Sequence, residues 1–185
     1  MIDVAQDAPK TVFLAGDEAG LYLQATTCQV WSPTRQTPIV RADPGRAKTN
    51  FYGALNLQTG QELAMRSDLM NAEVSAQYLE MSLEANPDVP MILFWDRAPW
   101  RRGRPIDKVL VENPRLEIIF FPSASPDLNP QEHVWKAVRR QISHNHLEVK
   151  LPDLADRFLC KLNSTTFKDT FLDRYGYTAI HPMSN

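Results

Sequence analysis

Residues 91–96 read Met-Ile-Leu-Phe-Trp-Asp, five apolar residues followed by an acid. A short continuous apolar run is typical of a strand inside a sheet, where both of its faces are buried. A carboxylate at the end of such a strand loses hydration unless a partner compensates it. The pattern predicts a buried strand over Val89–Trp95 that carries Asp96 at the edge of the sheet where ligands of open α/β sheets usually bind.

Three further strands are predicted on the N-terminal side of this one. They are Lys10–Gly16, which ends at Asp17, then Leu21–Trp31 and Asn50–Leu57. The first has an apolar centre, and the second is rich in β-branched and aromatic residues. Consecutive strands with short links predict an antiparallel meander, and Asp17 is expected at the same edge of the sheet as Asp96.

Helical patterns alternate with strands in the rest of the chain. The predicted helices are Ser67–Ala85 with Ser67 as its cap, 104–113, Asn129–His144 and a helical region over Leu151–Tyr175, and a further strand is predicted over Leu116–Phe121. This order predicts one α/β domain over residues 1–185, in which a three-strand antiparallel meander is followed by parallel strands in a mixed sheet. Helices are expected on both faces of the sheet. The order of elements resembles that of the ribonuclease H-like fold.

Composition excludes several classes of protein. The longest apolar runs, Met91–Trp95 and Ile118–Phe121, are far shorter than the roughly 20 residues of a membrane-spanning helix. The first seven residues are acidic and lack the basic and apolar regions of a signal peptide. Cys28 and Cys160 are isolated, so neither a disulfide framework nor a zinc knuckle is indicated. A cytoplasmic protein without a membrane partner is expected.

The distribution of charge indicates a partner although the net charge is only −2. Residues 1–90 carry 6 basic and 11 acidic side chains, whereas residues 91–185 carry 14 basic and 11 acidic ones. The basic residues follow two acids closely and are candidates for contact with a phosphate backbone: Arg97, Arg101, Arg102 and Arg104 after Asp96, and Lys136, Arg139 and Arg140 after Glu132. An ordinary solvated surface is the alternative for these clusters.

Glu132 can be explained in two ways from its own segment. Asn129-Pro130-Gln131-Glu132 is a good helix start, in which asparagine caps, proline comes first and glutamate completes a capping box. The second explanation is chemical, because Asp17, Asp96 and Glu132 together would form an oxygen-rich pocket for Mg²⁺ or Mn²⁺.

A longer motif around Glu132 resembles a known family. Residues 121–135 read Phe-Pro-Ser-Ala-Ser-Pro-Asp-Leu-Asn-Pro-Gln-Glu-His-Val-Trp, similar to the third-acid motif of DDE transposases of the mariner superfamily in their bacterial insertion-sequence branch. Asp96 resembles the second acid of that family, and the 35 residues between it and Glu132 are close to the family's separation. Asp17-Glu18 resembles the first-acid dipeptide. The resemblance extends over roughly residues 11–148.

The resemblance implies a function and its partners. Asp17, Asp96 and Glu132 would be the catalytic residues and would hold two Mg²⁺ or Mn²⁺ ions, with Asp17 between them. The activity would be cleavage of DNA at element ends and joining of the freed 3′-hydroxyl to target DNA, by a homodimer on DNA associated with the bacterial nucleoid. The N-terminal helix-turn-helix region of such transposases is absent from the sequence, so a separate or missing segment is expected to bind the ends.

Two positions depart from the family pattern. Arg97 and Arg101 stand where the family often has asparagine and histidine. Glu18 is expected to be a solvent-facing turn residue, with a supporting role beside the catalytic acids as the alternative.

Three other functions stay open at this point. The chain could be an inactive or domesticated DNA-binding remnant of a transposase, or a ribonuclease H-like nuclease without strand transfer. An aspartyl phosphatase with Asp17 as nucleophile is disfavoured, because such enzymes have a second aspartate where this chain has Ala19.

Overall fold

The computed structural model describes residues 11–24, 31–36, 46–122 and 126–167. It contains a five-stranded sheet with the order β3-β2-β1-β4-β5. The strands are β1 Val12–Tyr22, β2 Lys48–Asn56, β3 Glu62–Ser67, β4 Met91–Trp95 and β5 Leu116–Phe120. The pairs β1–β2 and β2–β3 are antiparallel, and the pairs β1–β4 and β4–β5 are parallel. The predicted mixed sheet, a meander followed by parallel strands, is confirmed.

Four helices accompany the sheet in the described part of the chain. They are α1 Ala72–Ala85, α2 Arg104–Glu112, α3 Pro130–Ile142 and α4 Leu151–Ser164. Two short 3₁₀ turns, Pro99–Arg101 and Pro126–Leu128, precede α2 and α3. None of the helices described is long and apolar enough to cross a membrane.

The sheet is covered on both faces, as predicted. On one face, α3 and α4 bury Val134, Trp135 and Phe158 against Phe13 and Phe51 of the sheet. On the other face, α1 and α2 pack on strand residues that alternate with Phe13 and Phe51. This second cluster includes Leu14, Tyr52 and Leu93 of the sheet and Tyr78, Leu79 and Ile106 of the helices. This alternation is the period-2 pattern of a strand buried on both faces.

Helix starts follow local chemistry, with one correction. Asn129 caps α3 as predicted, since its side chain accepts a hydrogen bond from the Gln131 N–H at 3.1 Å. The cap of α1 was predicted at Ser67, which is wrong because Ser67 ends β3. Asn71 caps α1 instead, by accepting from the Val74 N–H at 2.9 Å.

The boundaries of the meander differ from the prediction. The first strand does not end before Asp17 but continues to Tyr22, because its antiparallel ladder with β2 runs from Leu14 to Tyr22 and gives each residue a backbone partner. The predicted second strand, Leu21–Trp31, is wrong at its start, since Leu21 and Tyr22 belong to β1 and residues 23–24 form a bend; residues 25–30 lie outside the described residues.

The third strand of the meander is β3, Glu62–Ser67, a segment for which no strand was predicted. Its partner β2 corresponds to the predicted strand Asn50–Leu57. The predicted C-terminal helical region begins at Leu151 as expected and ends at Ser164, and residues 168–175 of that region lie outside the described part of the chain.

Candidate active site

The parallel register of β1 and β4 brings two of the predicted acids to the same level. Ala15 of β1 lies beside Phe94 of β4. Asp17 comes two residues after Ala15 in β1, and Asp96 comes two residues after Phe94, directly after the last residue of β4, so both carboxylates lie where β4 ends. Asp17 is 8% exposed, whereas the Asp96 side chain is 52% exposed.

The helix α3 is fastened along β1 by three hydrogen bonds. Asn129 Nδ2 donates to Gly16 O at 3.1 Å, Trp135 Nε1 to Asp17 Oδ2 at 3.2 Å, and Arg139 Nη2 to Gly20 O at 3.1 Å. Glu132 lies three residues from both Asn129 and Trp135, and residues at this spacing share a side of a helix. The third acid therefore faces the strand that carries the first.

The charges of the three acids act on one another. Partial burial raises the pKa of Glu132, and the negative charges of Asp17 and Asp96 raise it further, while Arg139 opposes them. Burial also raises the pKa of Asp17, and the nearby Arg101 guanidinium offsets part of this effect. The register of β1 with β4 and the bonds from α3 to β1 bring residues 17, 96 and 132 to the carboxyl end of β4, and we refer to these three residues as the acid cluster.

Arg101 lies inside the acid cluster. The 3₁₀ turn after β4 carries its side chain back to β1, where its Nη2 donates to Asp17 Oδ1 at 2.8 Å and its Nη1 donates to Asp96 Oδ1. The Arg101 Nε and Nη2 groups also donate to Glu18, the former at 2.8 Å from Oε2. The guanidinium lies 5.0 Å from the ring centre of Trp95, and the side chain is 1% exposed.

The environment of Glu18 contradicts its prediction as a solvent-facing turn residue. Glu18 lies within β1, and its side chain is 1% exposed. Burial raises its pKa, an effect that Arg101 and a hydrogen bond from Trp100 Nε1, 3.0 Å long, oppose. The physical reason is the continuation of β1 beyond the end of β4, which leaves space beside Glu18 that the 3₁₀ turn fills.

The donor set of the acid cluster suits a hard divalent cation. Carboxylate oxygens are the ligands that Mg²⁺ and Mn²⁺ prefer, and the buried guanidinium held by acidic oxygens shows that this position binds positive charge. Within the described ranges, however, no three acidic, histidine or cysteine side chains are arranged as a ready ligand set. The residues therefore suit such a cation by their chemistry, while the Arg101 guanidinium pairs with both Asp17 and Asp96.

The predicted DNA contacts differ in exposure. Exposed side chains are Arg97, Arg102, Arg104, Lys136 and Arg140. Arg139 is half-buried, and Arg101 is buried in the acid cluster, so its side chain does not present a surface to a phosphate backbone in this conformation. An open groove of about 450 Å³ has both Glu132 and the basic residues Lys136 and Arg139 along its walls.

A buried polar pair beneath the acid cluster was not predicted. Gln131 Nε2 donates to Glu62 Oε1 at 2.6 Å, and both residues are buried. Complete burial raises the pKa of Glu62 well above its usual value, and the charge of Asp17 adds to the effect. Nothing local in the sequence distinguishes Glu62 from a surface glutamate, because its burial depends on β3 pairing with β2 beneath α3.

The sheet order and the position of the acids define the ribonuclease H-like class of fold. The family model described as DDE superfamily endonuclease matches residues 12–154, and the chain belongs to this family. The predicted resemblance to DDE enzymes is confirmed at this level, and the bacterial insertion-sequence branch stays a prediction.

Solved structures support the same fold. The Mos1 transposase paired-end complex with left transposon end matches with a TM-score of 0.66 at 17% identity, over 98% of this chain and 55% of that one. The catalytic domain of Mos1 mariner transposase matches with a TM-score of 0.57 at 16% identity, over 94% of this chain and 76% of that one. A chain of the simian T-cell lymphotropic virus intasome also matches, at 9% identity and a TM-score of 0.57, over 91% of this chain and 54% of that one.

The length of the match limits what these structures share with the chain. This chain spans about half the length of the transposase chains in the Mos1 complexes. No match to this chain was found among the curated proteins.

Proposed function

We propose that the chain is the catalytic part of a transposase, a metal-dependent DNA endonuclease and strand-transferase. Asp17, Asp96 and Glu132 are its catalytic and metal-holding residues, and two Mg²⁺ or Mn²⁺ ions are its cofactors. The observation that carries the proposal is the meeting of these acids in a DDE-family fold. The register of β1 and β4 brings two together, and the bonds between α3 and β1 add the third.

The three side chains of the acid cluster have different surroundings, and we assign them different roles accordingly. Trp135 holds one oxygen of Asp17, so that carboxylate has a fixed orientation from within the protein. Asp96 and Glu132 are exposed and can meet a substrate from solvent. Divalent ions, when bound there, supply activation of a water or 3′-hydroxyl and stabilisation of the departing oxygen.

The substrate is proposed to be DNA held by the exposed basic side chains. Arg97, Arg102 and Arg104 follow the acid at the end of β4, and Lys136 and Arg140 lie on the helix that carries Glu132. Phosphate contacts of this kind position a nucleic acid without reading its sequence. The groove beside Glu132 has Lys136 and Arg139 along its walls, and these positive charges suit a phosphodiester backbone.

The Mos1 structures support the choice of substrate and partners. They include a paired-end complex with the left transposon end, a strand transfer complex, and structures with Mn or Mg. By analogy, we infer that this chain acts on element ends as a homodimer on DNA. A helix-turn-helix segment, on another part of the protein or on a separate chain, would recognise the ends. Activity on bacterial DNA would place the protein in the cytoplasm with the nucleoid.

One observation favours the alternative of an inactive DNA-binding remnant. Arg101 already neutralises part of the acid cluster, and the family often has histidine at this position. Titration of the purified protein with Mn²⁺ separates the two functions, because a remnant takes up no ion at millimolar concentrations.

The direct test is nicking and joining of DNA by the Asp96→Asn variant. Asparagine retains the Oδ1 atom that accepts the Ala98 N–H at 2.8 Å, so the turn after β4 keeps its hydrogen bond while the charge is lost. We expect Mn²⁺-dependent nicking of plasmid DNA by the wild type and background levels by the variant. Asp107→Asn, an exposed acid in α2, is the matched control and should nick like the wild type.

Two outcomes would change the proposal. Cleavage by purified Asp96→Asn at the wild-type rate would remove the acid cluster as the active site. Cleavage without joining of pre-cut 3′ ends to a target would reduce the function to a nuclease without strand transfer.

A further inference from the structure

We propose that Arg101 is an internal competitor for the divalent cations of the acid cluster. Its guanidinium occupies the position between Asp17 and Asp96 while no ion is bound, stabilises the ion-free fold, and lowers the affinity for the ions. This inference rests on the proposed function, because it concerns how the same site is loaded.

The competition follows from the oxygen atoms that Arg101 engages. Asp17 Oδ1 accepts from Arg101, and Asp17 Oδ2 accepts from Trp135, so both oxygens of this carboxylate already have donors. Asp96 Oδ1 accepts from Arg101 and from the Ala98 N–H. A cation that coordinates Asp17 Oδ1 or Asp96 Oδ1 therefore competes with the bonds from Arg101 for the same oxygen atoms, and its positive charge repels the guanidinium beside it.

Burial explains why the acids of β1 need a positively charged partner such as Arg101. Asp17 and Glu18 are neighbours in β1, and their side chains are 10% and 1% exposed. Buried carboxylates are costly unless they are paired and hydrogen-bonded. Arg101 satisfies both conditions with one planar group, and arginine stays charged at all ordinary pH values.

Glu18 gives Arg101 a partner that is not in the proposed metal-holding set. The Arg101 Nε donates to Glu18 at 2.8 Å from Oε2 and 3.2 Å from Oε1. The terminal nitrogen atoms can therefore leave Asp17 and Asp96 while Nε keeps its acidic partner. The histidine that the family often has at this position is shorter than arginine and has only two ring nitrogens. Simultaneous contact with Glu18, Asp17 and Asp96 is therefore a feature of the arginine in this chain.

Calorimetric titration of the DNA-free protein with Mn²⁺ tests the competition. We expect Arg101→Gln to bind Mn²⁺ at least about tenfold more tightly than the wild type, which corresponds to about 1.4 kcal/mol. Lys108→Gln removes a positive charge from the exposed side of α2 and serves as the matched control with wild-type affinity. Without metal, Arg101→Gln should melt roughly 5–10 °C below the wild type, because two buried acids lose their partner. Saturating Mn²⁺ should recover most of this loss.

Two further measurements keep the test decisive if Arg101→Gln folds poorly. Arg101→Lys retains the charge but presents one ammonium instead of a fork, so its Mn²⁺ affinity should lie between those of the wild type and the glutamine variant. In the wild type, the ¹⁵N resonance of Arg101 Nε, identified by its absence in either variant, should shift on addition of Mg²⁺ as the terminal contacts are lost.

The outcomes separate this inference from the proposed function. Equal Mn²⁺ affinity in wild type, Arg101→Gln and Arg101→Lys, with an unchanged Nε resonance, would overturn the competitor role and leave the metal site intact. Failure of all variants to bind Mn²⁺ would overturn both the competition and the metal-dependent function.

Discussion

Gly53 lies where β2, β3 and α3 meet, beside the candidate active site. It pairs with Asp17 across the β1–β2 ladder. A Cβ atom added here would overlap Glu62 Oε1 and would lie 2.5 Å from Trp135 Cη2 and 2.6 Å from Gln131 Nε2. The Gly53→Ala substitution is therefore a direct test of how closely α3, which carries Glu132, sits on the sheet.

The cost of Gly53→Ala can be worked out from these contacts. Overpacking in a dense interior costs about 1–3 kcal/mol. Trp135 is 1% exposed, so it cannot turn aside, and moving it lengthens its hydrogen bond to Asp17. Loss of a bond to a charged acceptor adds about 1.5–3 kcal/mol. We expect a destabilisation of about 3–5 kcal/mol, a large part of the 5–15 kcal/mol that is typical of a folded protein.

Urea unfolding of three glycine variants measures this cost against internal controls. At Gly20, also in the β1–β2 ladder, an added Cβ meets only ordinary contacts at 3.7 and 3.9 Å, so Gly20→Ala should stay within about 0.5 kcal/mol of the wild type. At Gly16 the nearest atom is Leu93 Cδ1 at 3.0 Å, and an intermediate loss is expected. If Gly53→Ala were as stable as Gly20→Ala, the close seating of α3 against β2 would be refuted.

The two remaining predictions concern buried polar groups beneath the acid cluster. Burial raises the pKa of Glu62 in the folded protein well above its value in the unfolded chain. The contribution of Glu62 to the free energy of unfolding is therefore greatest below about pH 4.3, where this residue is protonated in both states. The contribution is lost as the pH rises towards the folded pKa, by about 1.4 kcal/mol for each pH unit in that window. Glu62→Gln should therefore lose less stability than the wild type between pH 5 and pH 8 in thermal melts, and parallel pH profiles would contradict this explanation. Trp135→Phe removes the donor to Asp17 Oδ2 and should lower the free energy of unfolding by about 2–4 kcal/mol in urea titrations. The same change at Trp31, which is fully exposed, is the control, and equal losses at the two positions would show that the bond to Asp17 contributes nothing.

Local patterns predicted the parts of the fold that depend on neighbouring residues. The apolar run before Asp96 predicted β4, and Asn129 with Pro130 predicted the start of α3, because burial on both faces and helix capping act within a few residues. The meander was predicted as a type of structure but with wrong boundaries. Whether β1 ends at Gly16 or continues to Tyr22 depends on its ladder with β2, which lies some 30 residues further along the chain.

The candidate site shows the same division. The sequence alone predicted the three acids and their order, since the motif around Glu132 and the strand before Asp96 are local features, and the catalytic role of these acids stays a prediction. Only the tertiary structure decided that Arg101, predicted as a DNA contact, and Glu18, predicted as a turn residue, are buried together against Asp17. The extension of β1 past the end of β4 creates that space, and an interaction between residues 83 positions apart leaves no trace in any short window of sequence. Burial and pairing, which set the charge of the site, are properties of the packed sheet.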